Sequence, residues 1–180
     1  MPRRKTDPAK LYFITLTVHG WIDLFTRHTY ADVLITNLKY CMRNKELRIY
    51  YYCIMPSHIH LIAAVERGSL NEVIGQFKSY TAKQLLNLID NQPGESRKDW
   101  LLYLFEYFGK ISFGSSKYQV WKPHNYPVVL YNDKVIQQKM DYIHLNPIRS
   151  GIVNVPEAYV YSSANESNPL AEVIRYYGGY

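Results

Sequence analysis

A chain of 180 residues, 47% of them apolar, is long enough for one domain with a sizeable core and does not require two. No apolar run approaches the ~20 residues of a membrane span, and the basic start "MPRRKTDPAK" leads into no apolar signal region, so neither a transmembrane nor a secretory segment is expected. Two cysteines, Cys41 and Cys53, without CxxC spacing argue against a zinc ribbon or a disulfide scaffold and fit a reducing cytoplasm, while a net charge of +6 favours a polyanionic partner.

"LYFITLTV" (Leu11 to Val18) alternates and is rich in β-branched and aromatic residues, which predicts a strand. Thr29 with Asp32 three residues on resembles a helix start, and Val33, Leu34, Leu38 and Cys41 recur at helical spacing. "LRIYYYCIM" (Leu47 to Met55) predicts a second strand, Pro56 and Ser57 a tight break, and the run from His58 to about Glu66 a third strand. Ser69 with Glu72 forms a capping box before Leu70, Val73, Ile74, Phe77, Leu85 and Leu88, one apolar face of a long helix through about Ile89. "DNQPGESRKD" reads as an exposed loop and "WLLYLFEYF" as a short helix. A Gly/Ser/Pro-punctuated stretch follows, with a strand expected between Lys117 and Leu130. In "NDKVIQQKMDYIHLNP", Val135, Ile136, Met140 and Ile143 share a helical face with Asn132 or Asp133 as cap, and Pro147 predicts a stop by Asn146.

Strand, helix, strand, strand, helix and a further strand is the split βαβ order. The expected class is therefore α+β: a ferredoxin-like or RRM-like antiparallel sheet with helices packed on one face, and its third strand inside the sheet. Residues 1–180 read as one domain, with a basic N-terminal arm over 1–9, a core over 10–165 and a C-terminal tail over 166–180.

His58 and His60 lie two apart on the third strand, so both imidazoles project to one side, roughly 7 Å apart at the strand rise of ~3.3–3.4 Å per residue. Two neutral imidazoles in that relation can converge on a divalent cation. The plainer reading is a pair of strand histidines with hydrogen-bonded rings. On the last helix Tyr142 and Asn146 are four apart and share a side. There Asn146 can offer a carbonyl oxygen to a cation and Tyr142 can reach a phosphate, against plainer roles as a ring at the core edge and a C-terminal cap. Tyr80 competes as a nucleophile but sits three residues beyond Phe77, as core flank; His144 points to another side of its helix than Tyr142.

The segments "YFITLTV", "YYYCIMPSHIHLIAAV", "FKSYTAKQLL", "WKPHNYPVVLY", "DYIHLNPIRSGIV" and "YVYSSA" together resemble the HUH-type single-tyrosine transposases of bacterial insertion elements of the 200/605 type, and most closely the REP-associated tyrosine transposases. The likeness runs from about Tyr12 to Ala164. It implies a C-terminal helix carrying the catalytic tyrosine, Tyr142, and a divalent metal, Mg²⁺ or Mn²⁺, held by His58, His60 and Asn146, the last standing where other branches place a glutamine. The implied activity is cleavage and rejoining of single-stranded DNA near hairpins through a 5′-phosphotyrosine, by a homodimer or a monomer. Arg3, Arg4, Lys5, Lys78, Lys83, Lys117 and Lys122 are then expected on DNA phosphates, and Tyr118 and Trp121 under unpaired bases. The competing readings are a non-catalytic nucleic-acid-binding module that presents sheet tyrosines to RNA, and a hydrolase in which the two histidines activate water.

Overall fold

The computed structural model describes residues 6–8, 10–112 and 116–174. Four strands, β1 (Leu11–Thr17), β2 (Leu47–Met55), β3 (His58–Val65) and β4 (Val128–Leu130), form one sheet in the order β2-β3-β1-β4. Every pairing is antiparallel. This is the ferredoxin-like arrangement expected from the element order, with β3 inside the sheet. The helices are α1 (His28–Asn44), α2 (Leu70–Asn91), α3 (Lys98–Ile111) and α4 (Asp133–Arg149).

The period-2 alternation of the strands divides the core in two. Ile14, Leu16, Ile49, Ile54, Ile59 and Leu61 face one way and join Leu34, Leu38, Ile74, Phe77 and Leu85 of α1 and α2 in the main core. Phe13, Tyr51, Cys53, Met55 and Ile62 face the other way and meet Ile136 and Ile143 of α4. Helices therefore cover both faces: α1 and α2 one, α4 the other. A bulge between Ile49 and Tyr51 shifts the register of β2 and turns Tyr51 towards α4. The outer edge of β2 is closed by the chain after α4, where the Ile54 N–H donates to the Tyr161 carbonyl (2.9 Å) and the Ser163 N–H to the Tyr52 carbonyl (2.9 Å). Leu170 and Asn168, expected in a tail, are buried, and the Tyr52 hydroxyl donates to Asn168 Oδ1 at 2.9 Å.

Several local expectations are corrected. Thr29 lies inside α1, which starts at His28 behind an extended Arg27, and Thr29 Oγ1 donates to Gln92 instead of capping. Ser69 occupies the N-cap position of α2, but the Leu70 N–H donates to Thr6 Oγ1 at 2.8 Å, so a distant threonine supplants the local capping box. The strand expected between Lys117 and Leu130 is reduced to β4 and one bridge, Val18 to Trp121, because Pro123 and Pro127 have no N–H for a ladder. Helix α4 continues through Pro147 to Arg149; Pro147 is buried in the final turn, where packing overrides the preference of the preceding residue. Asn132 is the cap of α4, its Oδ1 accepting from the Val135 N–H at 2.9 Å. Glu95, in the supposedly exposed loop, has a fully buried side chain.

Candidate active site

Strand pairing builds the floor of the site. Thr15, His60 and Cys53 stand in one cross-strand row, and Thr17, His58 and Met55 in the next. All project towards α4. The two imidazoles lean together, with ring centroids 4.6 Å apart and planes at 75°.

His60 is 4% exposed. Its Nδ1 lies 2.9 Å from Thr15 Oγ1, and its buried Nε2 has no hydrogen-bond partner among the described residues. Only one other buried side-chain atom shares that condition there, Nδ1 of His19, whose ring stacks on Phe108. Burial, then the neighbouring His58 and Lys139, hold the His60 pKa down to about 3. Burial also lowers the pKa of His58, against an opposing pull from Asp23, and His58 Nδ1 lies 3.2 Å from Ser57 Oγ. Both rings are therefore neutral at pH 7. In the tautomer that donates Nδ1–H to Thr15 Oγ1, the His60 Nε2 lone pair is left uncommitted inside a buried site. That is the chemistry of a metal-binding histidine oriented by a hydroxyl partner, and the residues fit a divalent ion.

Helix α4 brings Tyr142 against this floor. Its ring sits edge-on to His60 with centroids 5.1 Å apart and edge-on to Phe13 at 5.9 Å. Phe13 in turn stacks on His60. Two cations surround the phenol: Lys139 Nζ is 5.6 Å from its ring centre and the Arg149 guanidinium 5.7 Å. Asn146 stands one turn beyond Tyr142, half-buried. No third His, Cys, Asp or Glu joins the two imidazoles in a cluster among the described residues.

The other sequence candidates separate. Tyr80 is exposed on α2, across the sheet from the histidines, and His144 turns its Nε2 to Ser163 Oγ (2.9 Å). Trp121 is 2% exposed, with its indole N–H donated to Thr81 Oγ1, and has no free face for a base. Lys78 Nζ donates to the carbonyls of Lys122 and Pro123 and to Asn125 Oδ1, so it fastens that loop. Lys83 and Lys117 are exposed, Lys122 half-buried, and Tyr118 packs partly on the core with Lys117 over its ring. Arg3, Arg4 and Lys5 lie outside the described residues. Of the sheet tyrosines, Tyr12, Tyr51 and Tyr52 are buried and present no open face, while Tyr50 is half-buried.

Three further residues stand at the site: Lys139, Arg149 and Trp21. Lys139 and Arg149, three before and seven after Tyr142, follow from helical spacing once Tyr142 is taken as central. Trp21 carries no such signal. It is exposed, edge-on to His58 at 5.4 Å, with Lys122 Nζ 4.5 Å from its ring centre.

Comparison with known proteins agrees with this architecture. The family described as "Transposase IS200 like" matches residues 12–122, a span that holds the histidine pair and ends before α4. The chain belongs to that family of transposases. It is similar to a REP-associated tyrosine transposase of Haemophilus influenzae, 24% identical over 163 residues that cover 89% of this chain and 83% of that one. The fold is shared with a solved structure of a REP-associated tyrosine transposase bound to a REP hairpin, at a TM-score of 0.64 and 15% identity, covering 100% of this chain and 91% of that chain. No helix among the described residues is long and apolar enough to cross a membrane.

Proposed function

We propose that this transposase cuts and rejoins single-stranded DNA beside hairpins, with Tyr142 as the nucleophile and His58, His60 and the Asn146 amide holding Mg²⁺ or Mn²⁺. The observation that carries the reading is a Tyr142 ring packed on a histidine whose buried Nε2 has no partner among the described residues. A bound divalent ion supplies Lewis-acid polarisation of the scissile phosphate. The Tyr142 oxygen attacks phosphorus, the new O–P bond forms and the bond to O3′ breaks. The electron pair ends on the departing O3′, and the phenolic proton passes through water to that oxygen, which leaves as the 3′-hydroxyl. Lys139 and Arg149 face the negative charge of the incoming phosphate. Because the phosphodiester is exchanged for a phosphotyrosine, a 3′-hydroxyl can reverse the step without ATP.

A hairpin substrate is supported by the structural neighbour, which was solved on a REP hairpin. Lys83, Lys117 and Lys122, with the N-terminal Arg3, Arg4 and Lys5, are the cations assigned to phosphates. The free, buried Cys41 and Cys53 suit action in the cytoplasm.

Incubation of a labelled hairpin oligonucleotide with protein and Mn²⁺ should give an SDS-resistant adduct that falls to background in Tyr142→Phe. Cut DNA without an adduct would assign a hydrolase instead, and retardation without cleavage a binding module.

A further inference from the structure

The histidine pair is flanked at both ends. Tyr142 packs on His60 and Trp21 on His58, so the order of rings along β3 is Tyr142, His60, His58, Trp21. Trp21 is set there by a rigid device. Gly20 and Trp21 both take left-handed backbone, at φ 70 and 57, and a Cβ on Gly20 would stand 2.8 Å from the Phe108 ring. The Trp21 N–H donates to the Val18 carbonyl at 3.0 Å. Lys122, whose ammonium lies over the indole, is pinned to the same end of β1: its N–H donates to the Thr17 carbonyl at 2.9 Å, and Lys78 holds its own carbonyl at 2.6 Å.

Fold stability does not explain this choice. A bulky residue at positive φ is strained, and here the strain presents an indole that remains 55% exposed. An exposed indole beside an ammonium suits an unpaired base and its phosphate. The geometry of phosphoryl transfer says which base. The leaving oxygen departs from the side of phosphorus opposite the attacking one. With Tyr142 at the His60 end, the departing strand lies at the His58 end, towards Trp21.

We infer that Trp21 stacks on the base immediately 5′ of the scissile phosphate, the nucleotide that leaves with the free 3′-hydroxyl, while Lys122 pairs with the phosphate on that nucleotide's 5′ side. The inference rests on the function proposed above and extends it: the clamp keeps the freed 3′-hydroxyl beside the phosphotyrosine for rejoining.

The test is a walk of single abasic positions through the hairpin oligonucleotide. Binding is read by fluorescence anisotropy in the Tyr142→Phe background, and adduct yield is read separately with the native tyrosine. Stacking on one base predicts about tenfold weaker binding when the base 5′ of the cut is absent. Trp21→Ala should weaken binding to the intact oligonucleotide by the same factor and become indifferent to that abasic position, and Trp21→Phe should restore part of both. Trp21→Gly, freed of backbone strain, should bind as poorly as Trp21→Ala without melting lower than the native protein. A walk with no position at which Trp21→Ala loses sensitivity, or a sensitive position on the 3′ side, overturns the inference. An intact oligonucleotide that is bound but forms no adduct overturns the proposed function, while the walk still reports whether Trp21 stacks.

Discussion

His60 lacks the usual compensation for burying an imidazole. Its Nδ1 is satisfied by Thr15, while Nε2, 4% residue exposure notwithstanding, meets no donor or acceptor among the described residues. An orphaned buried polar group costs about 1–3 kcal/mol. His60→Leu removes that cost together with the Thr15 bond, so stability without metal should stay within about 1 kcal/mol of the native protein. Mn²⁺ at a hundred times its Kd should add about 2.7 kcal/mol to the native protein, roughly 5–10 °C in melting temperature, and nothing to the variant. Acid gives a second check. His60 titrates at about 3 in the fold against an ordinary 6.5, so between those values the unfolded chain binds the extra proton and stability falls as pH falls. His60→Leu should lose less stability than the native protein over that window, and an equal loss would mean that burial does not hold the imidazole neutral; a persisting Mn²⁺ increment in the variant removes the metal-ligand assignment. Strand periodicity placed His58 and His60 on one side, and that part of the site was legible. Their convergence to 4.6 Å was not, because it depends on side chains and on α4 above them.

Among the elements, α2 shows where local sequence is overruled. Ser69 and Glu72 have the spacing of a capping box, yet Thr6 accepts the Leu70 N–H from 64 residues away in the chain. No window of sequence contains that contact. Thr6→Ala should therefore cost about 1 kcal/mol, the usual worth of an N-cap, whereas Glu72→Ala should stay within about 0.5 kcal/mol. Chemical denaturation of the two variants checks this, and the reverse ranking would restore the local box. The same lesson explains Trp121 and Lys78. Aromatic and basic residues near Pro123 suggest a nucleic-acid loop, but Thr81 receives the Trp121 indole N–H and Lys78 spends its ammonium on the loop's carbonyls. Composition distinguishes neither residue from a free one. Helices with a full apolar stripe were legible because burial alone decides them; β4, three residues beside two prolines, has too little pattern to be bounded.

Across the whole molecule, the sheet separates a main core under α1 and α2 from a smaller one under α4, and the candidate active site lies on the second. Element order was enough to give the sheet, while the cover on both faces needed the chain's return past β2. What steadies the main core at its rim is Glu95, from a stretch whose Gly, Pro and charged residues read as solvent loop. Its side chain is fully buried; it accepts the Tyr30 hydroxyl at 2.7 Å and pairs with Arg27 at 2.9 Å and Arg97 at 3.2 Å. These contacts tie the first turn of α1 to the first turn of α3. Burial pushes the carboxyl up, but the bonds from Arg97 and Tyr30 prevail and hold it at about 2, below its ordinary 4.5. A depressed carboxyl contributes stability above the unfolded value, and the contribution is lost as pH falls towards the folded one. Glu95→Gln keeps the shape and loses the charge, which should cost about 2 kcal/mol at pH 7, roughly 4–8 °C in melting temperature. The gap between native and variant melting temperatures should hold from pH 7 to about 5, narrow below 4.5 and close near 2. A gap that is constant across the whole range would mean that the carboxylate's charge contributes nothing to joining the two helices.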